Sequence, residues 1–173
     1  MGIDLTEGRA HEEVLRIRER ALHATSNGLV ITRCTNDDNP IEYVNPAFER
    51  ISGYSASEVI GRDSRFMAAP GFDDEERNRL RKAIRARQQV NVVFRNLRKN
   101  GEVFWNDLTI TPVADGTGKV THFIGVINDV TALKQRTALL EHEVNHDPLT
   151  GLANRTLLWD RLEQAIHMAQ RNK

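Results

Sequence analysis

Three β-type runs follow one another between residues 90 and 130, joined by turns too short for anything but hairpins. This feature most constrains the fold. Residues 90–98 alternate apolar and polar side chains, and Lys99-Asn100-Gly101 turns the chain. An Asn-Gly pair predicts a type I′ turn, because both residues tolerate positive φ. Residues 103–113 form the returning strand, Asp115-Gly116-Thr117-Gly118 the next turn, and 120–130 the last strand. Upstream, the β-branched run 29–32 and the alternating run 41–44 flank Asn36-Asp37-Asp38-Asn39-Pro40, a turn cluster, and make a further hairpin. The expected fold class is α+β: a five-stranded antiparallel sheet with helices gathered on one face.

The remaining segments supply those helices. Residues 7–24 carry Val14, Leu15, Ile17, Ala21 and Leu22 near a 3.6-residue period, so an amphipathic helix precedes the first strand. Asn45-Pro46-Ala47-Phe48 reads as a helix start with Asn45 as N-cap, and Gly53 stops it. Ser55 with Glu58 three residues later has the pattern of a second start. Asp73 or Asp74 is expected to cap a longer helix to about Arg87. Its Leu80, Ala83 and Ile84 face inward, and Arg77, Arg79, Arg81, Lys82, Arg85 and Arg87 mostly outward. Residues 131–145 and 156–172 read as two further helices. The first has Leu133, Leu140 and Val144 on a stripe compatible with a short coiled coil.

Composition narrows the class. Lys+Arg and Asp+Glu are equal at 24 each, which gives no electrostatic reason to expect nucleic acid or an anionic membrane as partner. The single cysteine, Cys34, excludes an internal disulfide and fits a reducing compartment. No apolar run reaches the roughly 18 residues of a membrane span, and the N-terminus lacks a signal-peptide core. A cytoplasmic protein is expected. His142 and His146 stand four residues apart with no third ligand nearby in sequence, so no metal site is expected.

The element order resembles a PAS domain, and the wording resembles its LOV subfamily. The resemblance is carried by residues 38–48 (Asp-Asn-Pro-Ile-Glu-Tyr-Val-Asn-Pro-Ala-Phe), Ser52-Gly53-Tyr54, Gly61-Arg62, Arg65-Phe66, Arg98-Lys99-Asn100-Gly101, Phe104-Trp105-Asn106 and Phe123-Ile124-Gly125-Val126. Asp129-Val130-Thr131 is similar to the PAS exit motif. The expected division is an N-terminal helix over 1–25, the sensor domain over 26–131 and a linker helix over 132–146.

The resemblance implies a flavin pocket, for FMN or FAD, and lets its residues be named. The family's Asn-Cys-Arg-Phe-Leu-Gln stretch reads Asp63-Ser64-Arg65-Phe66-Met67-Ala68 here, so Ser64 takes the place of the photoreactive thiol. A hydroxyl is far less acidic and nucleophilic than a thiol, so no light-driven adduct is expected. Arg65 and Arg81 match the two arginines that reach the flavin phosphate. Asn96 and Asn106 match the pair that reads the pyrimidine edge, with Met67 and Leu108 also at pocket positions. Ile127 replaces the glutamine that switches its hydrogen bond. Three readings stand at this point: flavin bound without adduct chemistry, another ligand, or an interior filled by side chains in a dimerisation module. Equally, Asn96 and Asn106 can satisfy each other, and the arginines can pair with Asp73, Asp74 or Glu75.

Asp147-Pro148-Leu149-Thr150-Gly151-Leu152-Ala153-Asn154-Arg155 resembles the opening of a GGDEF domain, the diguanylate cyclase module, over 147–173. The Gly-Gly-Asp/Glu-Glu-Phe loop itself is not in the sequence, so this stretch of chain is not expected to make cyclic di-GMP. The implied protein is a larger cyclase controlled by a sensor that dimerises through its N-terminal and linker helices.

Overall fold

The computed structural model describes residues 20–35 and 38–145, with 13, 16–17, 158–159, 162 and 165–168 beside them. Five antiparallel strands form one sheet: β1 (Gly28–Arg33), β2 (Ile41–Val44), β3 (Val90–Leu97), β4 (Val103–Ala114) and β5 (Val120–Asp129). Their order is β2-β1-β5-β4-β3, so the two hairpins lie side by side with β5 in the middle. Between β2 and β3 come α1 (Pro46–Ser52), α2 (Ala56–Val59), a 3-10 turn at Ser64–Met67, and α3 (Asp74–Arg85). Helix α4 (Thr131–Asn145) follows β5 and belongs to a second unit of the chain, which divides between Val130 and Thr131.

Local chemistry explains most of these boundaries. Asn45 caps α1 through Oδ1, which accepts from the Phe48 N–H at 2.9 Å, and Pro46 occupies the first turn. The same oxygen accepts from Leu29 N at 2.8 Å, while Nδ2 donates to Leu22 O at 3.0 Å and Asn27 O at 3.1 Å. One buried amide thus joins the helical segment at 20–24, β1 and α1. Gly53 ends α1 at φ 77°, where a Cβ would be strained. The expected N-terminal helix is helical at 13, 16–17 and 20–24, and the rest of 7–24 lies outside the described residues. So do most of 156–172 and the Asp147–Arg155 stretch.

Two local expectations are corrected. The Asn100-Gly101 turn is not type I′. Only Gly101 has positive φ, at 84°, and Gly101 N–H bonds Arg98 O at 2.9 Å inside a loop closed by Arg98 N on Glu102 O. The Asn100 side chain accepts from Glu102 N at 3.0 Å, which holds the longer loop. Asp73 sits at the N-cap of α3 as expected, its carbonyl accepting from Arg77 N at 3.0 Å, but its side chain makes no cap bond. Its backbone is left-handed (φ 57°, ψ 39°), and its carboxylate goes to β3 instead.

The core lies between the sheet and the α1–α2–3-10 segment. Val30, Ile41, Val44, Phe48, Val59, Met67, Phe104 and Ile127 form one buried cluster. A second, smaller cluster puts Val90, Val92 and Phe94 of β3 against Leu80 and Ala83 of α3. Each large apolar side chain so buried contributes about 1.5–3 kcal/mol.

Candidate functional site

The interior face of β3–β4 carries two amides in the core. Asn96 is 4% exposed and Asn106 1%. Asn106 Nδ2 donates to Asn96 Oδ1 at 2.8 Å, and Asn96 Nδ2 donates to Met67 O at 2.7 Å. That leaves Asn106 Oδ1 buried with no partner, a state that costs about 1–3 kcal/mol for an amide oxygen. Asn39 Oδ1 is in the same condition near the β1–β2 turn. Strand pairing explains how the amides come together. Phe94 is opposite Asn106 and Asn96 opposite Phe104, so both amides and both rings point to the helix-covered side.

Leu108 and Ile127 extend that face across the sheet, directly paired between β4 and β5. Ile127 is 3% exposed and packs where β1 comes closest: a Cβ on Gly28 would lie 3.3 Å from Ile127 Cβ and 3.2 Å from Phe48 Cα. Gly28 is therefore the residue that lets Ile127 and Phe48 close on each other. Met67 is buried at 3%, its carbonyl held by Asn96.

The other expected site residues sit at the surface. Ser64, Arg65 and Arg81 are exposed. Arg65 Nε donates to Asp63 Oδ1 at 2.8 Å and its Nη2 pairs with Asp38. Arg81 donates to Asn78 Oδ1 at 2.9 Å. Asp63 faces the β1–β2 turn: Oδ1 also accepts from Arg65 N, and Oδ2 from Asn39 N at 3.1 Å. Burial raises its carboxyl pKa, but the Arg65 guanidinium and the two N–H donors outweigh that and lower it. The structure thus brings Met67, Asn96, Asn106, Leu108 and Ile127 together inside, and leaves Asp63, Ser64, Arg65 and Arg81 at the boundary.

A PAS-domain family model matches residues 26–132. The chain is 37% identical over 120 residues to the bacterioopsin transcriptional activator of Halobacterium salinarum, covering 69% of this chain and 18% of that protein. It is 38% identical over 123 residues to the blue-light-activated histidine kinase of Brucella canis, covering 71% and 25%. The LOV domain of the Erythrobacter litoralis EL346 blue-light-activated histidine kinase superposes with a TM-score of 0.58 at 40% identity, over 61% of this chain and 96% of that one. The chain belongs to the PAS family, in its LOV branch. It spans about a fifth to a quarter of the length of these two curated relatives.

Within this LOV-like domain, the residue that sequence reasoning missed is Arg77. It was placed with the outward cations of α3, yet it turns in. Nη2 donates to Ala69 O at 3.2 Å and Arg95 O at 2.8 Å, Nε donates to Phe72 O at 3.1 Å, and the guanidinium lies 5.2 Å from the Phe94 ring centroid. Burial lowers its pKa, though a guanidinium stays protonated at any ordinary pH. The available signal was its spacing: Arg77 is three residues before Leu80, on the inward stripe of α3. A further pair, Arg98 with Asp129 at 2.5 Å, ties the β3–β4 loop to the exit of β5, and the same guanidinium bonds Ile51 O at the end of α1. No helix among the described residues is long and apolar enough to cross a membrane.

Proposed function

We propose that this LOV-like sensory module holds a flavin, FMN or FAD, without cysteine-adduct photochemistry, and controls an output domain beyond Val130. The observation that carries the reading is the buried Asn96–Asn106 pair with Asn106 Oδ1 left open. In an apolar interior such an acceptor fits a ligand N–H, and two adjacent amides suit a flat heterocyclic edge carrying both donors and acceptors. Met67, Leu108 and Ile127 supply the apolar walls. Arg65 stands at the solvent boundary, where a charged phosphate group is cheapest to keep. When bound, the flavin supplies light absorption and redox chemistry. The chain's own residues bind and orient it, and the aliphatic Ile127 offers no side-chain hydrogen bond to exchange when the ring changes state.

Helix α4 is the route out. It begins two residues after Asp129, which Arg98 holds, and Leu133, Leu139 and Leu140 on it are exposed. An unpaired apolar stripe of this kind supports pairing with a second copy, which would set the spacing of two GGDEF domains following residue 147. The assignment of 1–25, 26–131, 132–146 and 147–173 to N-terminal helix, sensor, linker and GGDEF start belongs to the same proposal, as does a cytoplasmic location.

A second reading has its own observation. Asn96 already bonds Met67 O, and the core cluster includes Ile127 and Phe104, so the β3–β4 amide pair is satisfied except at Asn106 Oδ1. This describes a ligand-free dimerisation module. The absorption spectrum separates the two. The purified protein is expected to show the structured blue band of bound flavin, and blue light should not bleach it to an adduct. A colourless protein that takes up neither FMN nor FAD overturns the flavin reading.

A further inference from the structure

The segment from Gly61 to Asp73 crosses the helix-side face of the sheet and closes both of its edges by different means. At the β2 edge the bonds are backbone to backbone: Gly61 N–H donates to Ile41 O at 2.8 Å, Ile41 N–H to Arg62 O at 2.9 Å, and Pro40 bridges Asp63. At the β3 edge there is one backbone bridge, Ala68 with Asn96, and the rest is side chains. Asp73 Oδ2 accepts from Arg95 N at 2.9 Å and Arg95 Nε at 3.0 Å, and Oδ1 from Nη2 at 3.1 Å. Arg77 takes the carbonyls of Ala69, Phe72 and Arg95. Arg95 lies 4.1 Å from the Phe72 ring centroid and 5.0 Å from that of Trp105.

We propose that residues 68–73 are a strap, the far end of a segment anchored at the β2 edge through Gly61, Arg62 and Asp63 and latched at the β3 edge by Asp73, Arg95 and Arg77, and that the interior amides are reached by its release. Two features of the strap fit this role. It offers the core little apolar surface, since Ala68 and Ala69 are small and Phe72 is 42% exposed. It also contains two left-handed residues, Gly71 at φ 76° and Asp73 at φ 57°, the second held there by its carboxylate contacts. The strap and the interior share one bond. Asn96 Nδ2 donates one N–H to Met67 O at the root of the strap, so a ligand acceptor that takes that N–H displaces the carbonyl. Filling the site and loosening the strap are therefore linked in both directions. The role as an entry route rests on the ligand reading above, but release of the latch is measurable without any ligand.

The test places a single thiol in the strap. Ala69 is 2% exposed, so in the full chain Ala69→Cys with Cys34→Ser reports opening through its rate of alkylation by iodoacetamide under native conditions. Adding Asp73→Asn keeps an acceptor for Arg95 N but removes the charge, and is expected to speed alkylation about three- to tenfold. Raising the salt concentration speeds the parent protein in the same direction. Arg79→Gln, which removes an exposed pair with Glu76 on the same helix, is expected to leave the rate unchanged. An unchanged rate in Asp73→Asn overturns the latch, as does equal acceleration by Arg79→Gln. A rate that follows global unfolding in urea, monitored by circular dichroism, also overturns it. Should Ala69→Cys not fold, amide hydrogen exchange at residues 67–69 in the otherwise native chain, with and without Asp73→Asn, gives the same comparison. FMN added to protein first stripped of any bound flavin is expected to alter the alkylation rate. If it does not, the flavin reading fails, while the latch is judged on the Asp73→Asn ratio alone.

Discussion

The two edges of the sheet show how one connecting segment can be fixed at one end and conditional at the other. At β2 the segment joins the ladder with its own backbone, and Ile41 beneath it is 1% exposed. Breaking that end means breaking the core. At β3 the edge is closed mainly by side chains: the Asp73 carboxylate takes Arg95's N–H and guanidinium, and the Arg77 guanidinium takes its carbonyl. Both arrangements protect an edge strand from pairing with another chain. They differ in what can undo them: backbone ladders and buried methyl groups respond weakly to salt and pH, while partly exposed ion pairs respond strongly.

The largest expected effect is at the β2 end. Ile41→Ala should lower global stability by about 2–5 kcal/mol, as buried Ile-to-Ala changes do, seen as a shifted urea midpoint. A purely local effect there would break the contrast between hinge and latch. At the β3 end, acid should act locally. The Arg95 hydrogen bonds lower the Asp73 pKa and burial opposes them less, with the Arg77 charge also lowering it. Because the closed-state pKa lies below the open-state value of about 3.9, the latch is fully present above that value and is lost as pH falls through the depressed one. Alkylation of the Ala69→Cys thiol should therefore accelerate as pH falls below about 4, once corrected for thiolate content. No acceleration before global acid unfolding would erase the distinction. The smallest effect belongs to Arg65→Gln. Its pairs with Asp63 and Asp38 look substantial, but Arg65 is two-thirds exposed (66%), so denaturation should move by less than about 0.5 kcal/mol. A large loss would show that the 63–65 turn belongs to the hinge.

Much of this architecture was legible in the residues. The hairpin turns and alternating runs gave all five strands to within a residue or two, because period-2 patterning and Gly-rich turns are local signals. Asn45 as N-cap, Pro46 after it and Gly53 at the helix end were readable for the same reason. Asn96 and Asn106 were named through the family resemblance, and their place on adjacent antiparallel strands allowed both amides to face one side. The turn at Asn100-Gly101 was misread because loop length, set by the Arg98–Glu102 closure, outweighed the dipeptide preference. Asp73 was misread because an N-cap Asp has a competitor that sequence spacing does not reveal, the Arg95 guanidinium on a strand 22 residues away.

Taken alone, the sequence determined the elements and their antiparallel hairpins, since each depends on neighbours a few positions apart. Tertiary structure decided the rest: Arg77 turns inward, Arg65 outward, and Asn96 holds the Met67 carbonyl. Each outcome is a contest between partners distant in the chain, and the geometry of packing chose among donors and acceptors that the sequence merely supplied.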